Sequence, residues 1–178
     1  MRAFVALDLD APARGRLRAA VDALRPRIPG IKWVRPEGVH LTLRFLGDTQ
    51  PEVVGRLKPM LAGAAERCPA SRAPLTGLGL FPERAAPRVL WIGLDLDPRV
   101  QALQVACEGA AVSCGFAPEA RPFAPHLTLG RWRDRAPRPD LPALDLGVAQ
   151  LDRLVLLRSE PRPGGAVYTP LASFPLSG

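Results

Sequence analysis

His40-Leu41-Thr42-Leu43 and His126-Leu127-Thr128-Leu129 are the same tetrapeptide 86 residues apart, and between them they hold both histidines of the 178-residue chain. A second pair of landmarks, Leu7-Asp8-Leu9-Asp10 and Leu94-Asp95-Leu96-Asp97, is offset by 87 residues. Two separate landmarks at nearly one spacing point to an internal duplication, with repeats of roughly residues 1–86 and 87–178. The material between them agrees in type. Ala3 to Leu9 and Val89 to Leu96 read as short buried strands, each followed by an Asp with a Pro one or two residues on, a helix start. Ala13 to Leu24 and Val100 to Val112 read as helices, with Leu17, Val21 and Leu24 in the first and Val100, Leu103 and Cys107 in the second at helical spacing. Pro29-Gly30 and Cys114-Gly115 close them. A loop follows in each case, and then the histidine-bearing strand.

Beyond the tetrapeptides the halves diverge. Pro51 to Arg67 predicts a helix, with Asp48 and Thr49 before it and a kink or break at Pro59. Asp134 to Pro142, rich in Pro and Arg, predicts a loop. Pro74 to Leu80, Leu151 to Leu157 and Val167 to Phe174 predict strands, with a turn at Gly164-Gly165. The fold expected is α+β and bilobal. Two related lobes of mostly antiparallel sheet would carry outer helices and enclose a central cleft, all within one domain. Strand order is not legible.

Residues two apart on a strand face the same side. His40 and Thr42 therefore point together, as do His126 and Thr128, while Leu41, Leu43, Leu127 and Leu129 enter the opposite layer. Such a polar face suits phosphate chemistry. A neutral imidazole takes a proton from water, and a protonated one gives a proton to a leaving alkoxide. Threonine hydroxyls hydrogen-bond non-bridging oxygens. With five threonines in the chain, Thr falls two positions after both histidines by chance in about 0.1% of cases. Arg44, four past His40, shares that face if the strand is regular. Arg131, five past His126, does so only with a bulge or a strand end. A guanidinium there would neutralise phosphate charge without a metal.

The net charge is +7 and the pI about 10.5. A basic balance suits a polyanion such as nucleic acid, but all the basic residues except Lys32 and Lys58 are arginines, a bias that genome composition also produces. Cys68, Cys107 and Cys114 include no Cys-x-x-Cys, and with two histidines they form no zinc framework, so buried free thiols are expected. Met1 to Asp8 meets an acid too early for a secretory apolar stretch. No apolar run reaches membrane-spanning length. A cytoplasmic monomer with no metal, no cofactor and no membrane contact is expected.

At these motifs the chain resembles the two-histidine phosphoesterase superfamily. More closely, it is similar to the RNA 2',3'-cyclic phosphodiesterases, also called 2'-5' RNA ligases. The resemblance lies in Trp33-Val34-Arg35-Pro36 leading to His40-Leu41-Thr42-Leu43-Arg44-Phe45-Leu46-Gly47, in Pro125-His126-Leu127-Thr128-Leu129-Gly130-Arg131, and in Gly79-Leu80-Phe81-Pro82 and Arg88-Val89-Leu90-Trp91. It implies a bilobal fold, the two lobes related by a pseudo-twofold axis, with a groove between them. It also implies hydrolysis of a terminal 2',3'-cyclic phosphate of RNA to a 2'-phosphomonoester, with His40 as proton donor and His126 as proton acceptor. The matched motifs alone leave those two roles interchangeable. The resemblance ranks Arg131 above Arg44 and makes 2'-5' ligation the reverse reaction. Phe45 and Phe81 are candidates for stacking on bases, core packing being the plainer role for each. Two other readings remain: a phosphodiesterase for a small nucleoside or ADP-ribose cyclic phosphate, and an RNA-binding protein that keeps the site as a pocket.

Overall fold

In a computed structural model that describes all 178 residues, the chain runs β1 (Arg2–Leu7), α1 (Ala11–Leu24), β2 (Ile31–Trp33), β3 (Leu41–Asp48), α2 (Pro51–Glu66), β4 (Ser71–Phe81), β5 (Val89–Leu94), α3 (Pro98–Ser113), β6 (His126–Trp132), β7 (Val148–Leu151), β8 (Arg153–Glu160) and β9 (Val167–Pro175). The fold is α+β, as the alternation of apolar runs predicts. The two repeat helices start alike. Asp10 accepts a hydrogen bond from the Ala13 amide at 3.3 Å, and Asp97 from the Arg99 amide at 2.9 Å. Each carboxylate satisfies an amide at the helix N-terminus that would otherwise lack a partner. Gly115 closes α3 at φ 100°, where a side chain would be strained.

All paired strands are antiparallel and form one curled sheet in the order β7-β4-β5-β6-β3-β1-β8-β9, with β2 laid along β6. The two repeats meet between β3 and β6, joined by one register pair, Leu41 opposite Leu127. On one side of that seam lie β3, β1, β8 and β9. On the other lie β6, β5, β4 and β7. Strand β4 from the first half of the chain is therefore hydrogen-bonded to β5 of the second, while β8 and β9 from the second half extend the sheet of the first. The helices cover one face of the sheet, and a single cluster of 42 buried residues runs across both halves beneath them. Leu41, Leu43, Leu127 and Leu129 are all in it. The opposite face is left for the cleft. The three cysteines are free and buried, and burial pushes the Cys107 thiol up to about 12. No helix is long and apolar enough to cross a membrane.

Three sequence expectations need correction. Helix α2 passes through Pro59 without a break. Val54, Leu57, Leu61, Ala64 and Ala65 anchor its buried face on both sides of the proline, so tertiary packing outweighs the lost backbone bond. The strand expected over Leu151 to Leu157 is two strands, β7 and β8, separated at Asp152. The Leu-Asp-Leu-Asp landmarks also slip in register. Thr42 faces Ala6 and Thr128 faces Trp91, an offset of 85 between the partner strands rather than 87. The expected Pro-Arg loop does occur, within an irregular segment from 133 to 147. Arg138 pins it to the β4–β5 hairpin by donating to the Pro82 and Ala85 carbonyls at 2.9 and 2.8 Å.

Candidate active site

Each histidine stands at the start of its motif strand, and each imidazole is tethered in the same way. His40 Nδ1 lies 3.0 Å from the Gly38 carbonyl and His126 Nδ1 lies 2.7 Å from the Ala124 carbonyl, in both cases two residues upstream. A carbonyl only accepts, so Nδ1 carries the proton and Nε2 is the nitrogen free to exchange one. With Leu41 opposite Leu127, the flanking antiparallel positions set His40 against Thr128 and Thr42 against His126. The two histidines therefore flank the one pairing across the seam from opposite strands. One cavity of about 230 Å³ is lined by His40, Thr42, His126, Thr128 and Arg131 together with Phe45.

A bulge in each motif strand decides which cation joins them. In β3, Val5 faces Arg44 and Ala6 faces Thr42, leaving Leu43 as the extra residue. In β6, Leu90 faces Gly130 and Trp91 faces Thr128, leaving Leu129 extra. Two successive residues then face the core: Leu43 and Arg44 in one repeat, Leu129 and Gly130 in the other. The residue after them returns to the cleft, which is Phe45 in the first repeat and Arg131 in the second. The expectation that Arg44 shares the face of His40 is therefore wrong. Arg44 is buried on the helix side, paired with Glu108 and donating to the Ala117 and Phe45 carbonyls at 2.6 and 3.0 Å. Burial would raise the Glu108 carboxyl, but the Glu119 amide and Arg44 outweigh it and hold it below its ordinary value.

The surroundings of the two imidazoles differ. His40 has a side chain only 9% exposed and lies edge-on to both Phe4 and Tyr168 at centroid distances of 6.3 and 5.9 Å. Its Nε2 is 3.7 Å from Asp8 Oδ1. Burial depresses the pKa of His40 below 6.5; the Gly38 carbonyl and Asp8 oppose the shift, and Arg14 adds to it. Arg14 pairs with Asp8 and donates to the Pro36 and Val39 carbonyls at 2.6 and 2.9 Å, which braces the turn leading into His40. His126 meets Phe81 edge-on at 5.1 Å, and Phe81 in turn packs on Trp91 at 5.0 Å. Phe81 thus buttresses a histidine, whereas Phe45 is 60% exposed at the cleft mouth.

Sequence reasoning missed Asp8, Arg14, Phe4 and Tyr168. Asp8 was visible only as a repeat landmark, and Tyr168, the one tyrosine of the chain, is brought in from the far end by strand β9. No group of three or more His, Cys, Asp or Glu side chains is placed to hold a metal ion.

The model of the LigT-like phosphoesterases matches residues 7–91. A protein of Methanothermobacter thermautotrophicus named RNA 2',3'-cyclic phosphodiesterase is 31% identical over 99% of this chain and 99% of its own. One of that name from Geobacillus stearothermophilus is 37% identical over 98% of this chain, which spans 57% of that relative's length. A solved structure from Thermus thermophilus superposes with a TM-score of 0.85 at 33% identity, covering 100% of this chain and 99% of the other. With full-length identity above 30% and a matching fold, the chain belongs to the family of LigT-like phosphoesterases.

Proposed function

We propose that the protein hydrolyses a terminal 2',3'-cyclic phosphate of RNA to a 2'-phosphomonoester, by acid–base catalysis between His40 and His126 and without a metal. The observation that carries this reading is the duplicated setting. Two imidazoles are tethered through Nδ1, each has a threonine two residues on, and both line one cavity with Arg131. His126 Nε2 takes a proton from water as its oxygen bonds to phosphorus. The bond from phosphorus to O3' breaks, and His40 Nε2–H protonates that oxygen. Thr42 and Thr128 donate to non-bridging oxygens, and Arg131 stabilises the charge that grows on them. Solvent exchange then returns the proton to His40 and removes it from His126. Run in the same direction with a 5'-hydroxyl in place of water, the same steps break the bond to O3' and give a 2'-5' linkage.

Burial depresses the pKa of His40, so its protonated form gives up a proton more readily than an ordinary imidazolium, and an incoming phosphate anion favours that protonation. One histidine must be charged and the other neutral, so the rate should follow a bell-shaped pH profile. The protein acts in this reading as a cytoplasmic monomer. The relatives' name supports the reaction class. The test is an oligoribonucleotide ending in a 2',3'-cyclic phosphate, incubated with chelator, with the product isomer identified. A 2'-phosphate is expected, and its formation should be abolished in both His40→Ala and His126→Ala. A 3'-phosphate would reverse the leaving-group assignment. Activity surviving either substitution would remove that histidine from the mechanism, and activity lost in chelator would refute metal independence.

A further inference from the structure

Strand β2 sets Lys32 directly opposite Arg131 on β6. Residues directly opposite on an antiparallel pair face the same side, and like charges there repel. Neither cation has an acid or a hydrogen-bond acceptor for its side chain in the protein, although most arginines elsewhere on the surface do. The two lie at the junction of the catalytic cavity with a second groove of about 520 Å³. The grooves are continuous, sharing Val34, Gly38, Arg131 and Tyr168. A third cation, Arg35, lies in the second groove against the Gly164-Gly165 turn, so close that a Cβ on Gly164 would come within 2.8 Å of its guanidinium. Arg35 too has no protein partner. The one acid lining this groove, Glu37, is already neutralised by Arg18 at 2.6 Å.

Three unpartnered cations leading away from a phosphate site form a track for a second anion. We infer that this groove is a subsite for the phosphodiester on the 5' side of the terminal nucleotide, with Lys32 and Arg35 as its phosphate contacts. The inference rests on the proposed cyclic phosphodiesterase activity and deepens it. The enzyme distinguishes an RNA end from a mononucleoside cyclic phosphate by charge, through phosphates that the small substrate lacks. Backbone contacts of this kind carry no base preference.

The test compares adenosine 2',3'-cyclic phosphate with a short oligoribonucleotide ending in a 2',3'-cyclic phosphate, for the wild type and the Lys32→Gln/Arg35→Gln double variant. The ratio of kcat/KM for the oligonucleotide to that for the mononucleotide should fall by about tenfold, mainly through KM. Binding of a 2'-phosphate-ended oligonucleotide, followed by anisotropy against salt, should lose about 1.4 from its log–log slope, because each single-strand phosphate contact contributes about 0.7. The double variant should also melt no lower than the wild type, since it relieves repulsion. An unchanged ratio together with an unchanged salt slope overturns the subsite while leaving the catalytic reading intact, and a lowered melting point would assign the two residues a structural role instead. If the wild type hydrolyses neither substrate, the catalytic reading falls, and the salt slope alone decides the subsite.

Discussion

Arg44 and Arg131 follow the two histidines at similar distances, yet their substitution should have opposite consequences. Arg131→Ala removes a donor from the cavity that the two histidines line, the phosphate site of the proposed reaction. It should cost about 10²–10³ in kcat and change stability by no more than about 0.5 kcal/mol. Arg44→Ala removes the partner of Glu108 and the donor to the Ala117 carbonyl. Because Glu108 is a quarter exposed, the expected loss is about 1–3 kcal/mol, visible in urea unfolding, with KM little altered. Asp8 offers a test of which histidine gives the proton. Its carboxylate favours charged His40, whose pKa lies below 6.5 through burial, so at pH 7 the neutral form prevails. Asp8→Asn lowers that pKa further and leaves the charge of Arg14 uncompensated. If His40 is the donor, kcat/KM at pH 7 should fall several-fold, because a smaller fraction is protonated; if His40 is the acceptor, it should hold or rise.

At the scale of the strand, the bulges at Leu43 and Leu129 do what alternation alone does not. A regular β3 would have sent Arg44 into the cleft and Phe45 into the core. The extra residue reverses both, and the same reversal in β6 delivers Arg131. Gly130 makes the second bulge compatible with β2, since a Cβ there would come within 2.6 Å of Ile31 and 3.0 Å of the Lys32 carbonyl. Gly130→Val should therefore push β2 off β6 and lower stability by about 1–3 kcal/mol. Because it also moves the strand that carries Arg131, kcat should fall with the melting temperature, and circular dichroism and steady-state assays on one preparation would show both. Strand β2 itself, three residues long, escapes detection in the sequence because no periodicity is countable over so short a run.

For the molecule as a whole, the exchange of strands across the seam sets the cooperativity. Only Leu41 and Leu127 pair β3 with β6, which by itself would be a weak join. The crossing of β4, β8 and β9 into the opposite sheet halves, over one core of 42 residues, means that neither half of the chain holds a complete sheet. Thermal and urea unfolding should follow one transition, coincident in the near- and far-ultraviolet. Fragments 1–86 and 87–178, expressed apart, should fail to fold. Two resolved transitions, or a folded fragment, would contradict this account. The single core also explains why the histidines can sit at the seam: each is fixed to its own half, and the shared packing holds the two halves in one geometry.

Reading the sequence was enough to find the α+β class, the paired tetrapeptides that line one cavity with their histidines and threonines, and the division of each motif into a core face and a polar face. All of these follow from local periodicity and from residue types that repeat in sequence. Strand order, the exchange of β4 with β8 and β9, the bulges, and the arrival of Asp8, Tyr168 and Lys32 around the site were decided only in the tertiary structure. They depend on pairings between residues far apart in the chain. A one-residue bulge reverses which side chains face the cleft while leaving the composition of the strand unchanged, and so Arg131 lines the cavity of the two histidines while Arg44 is buried beneath the helices.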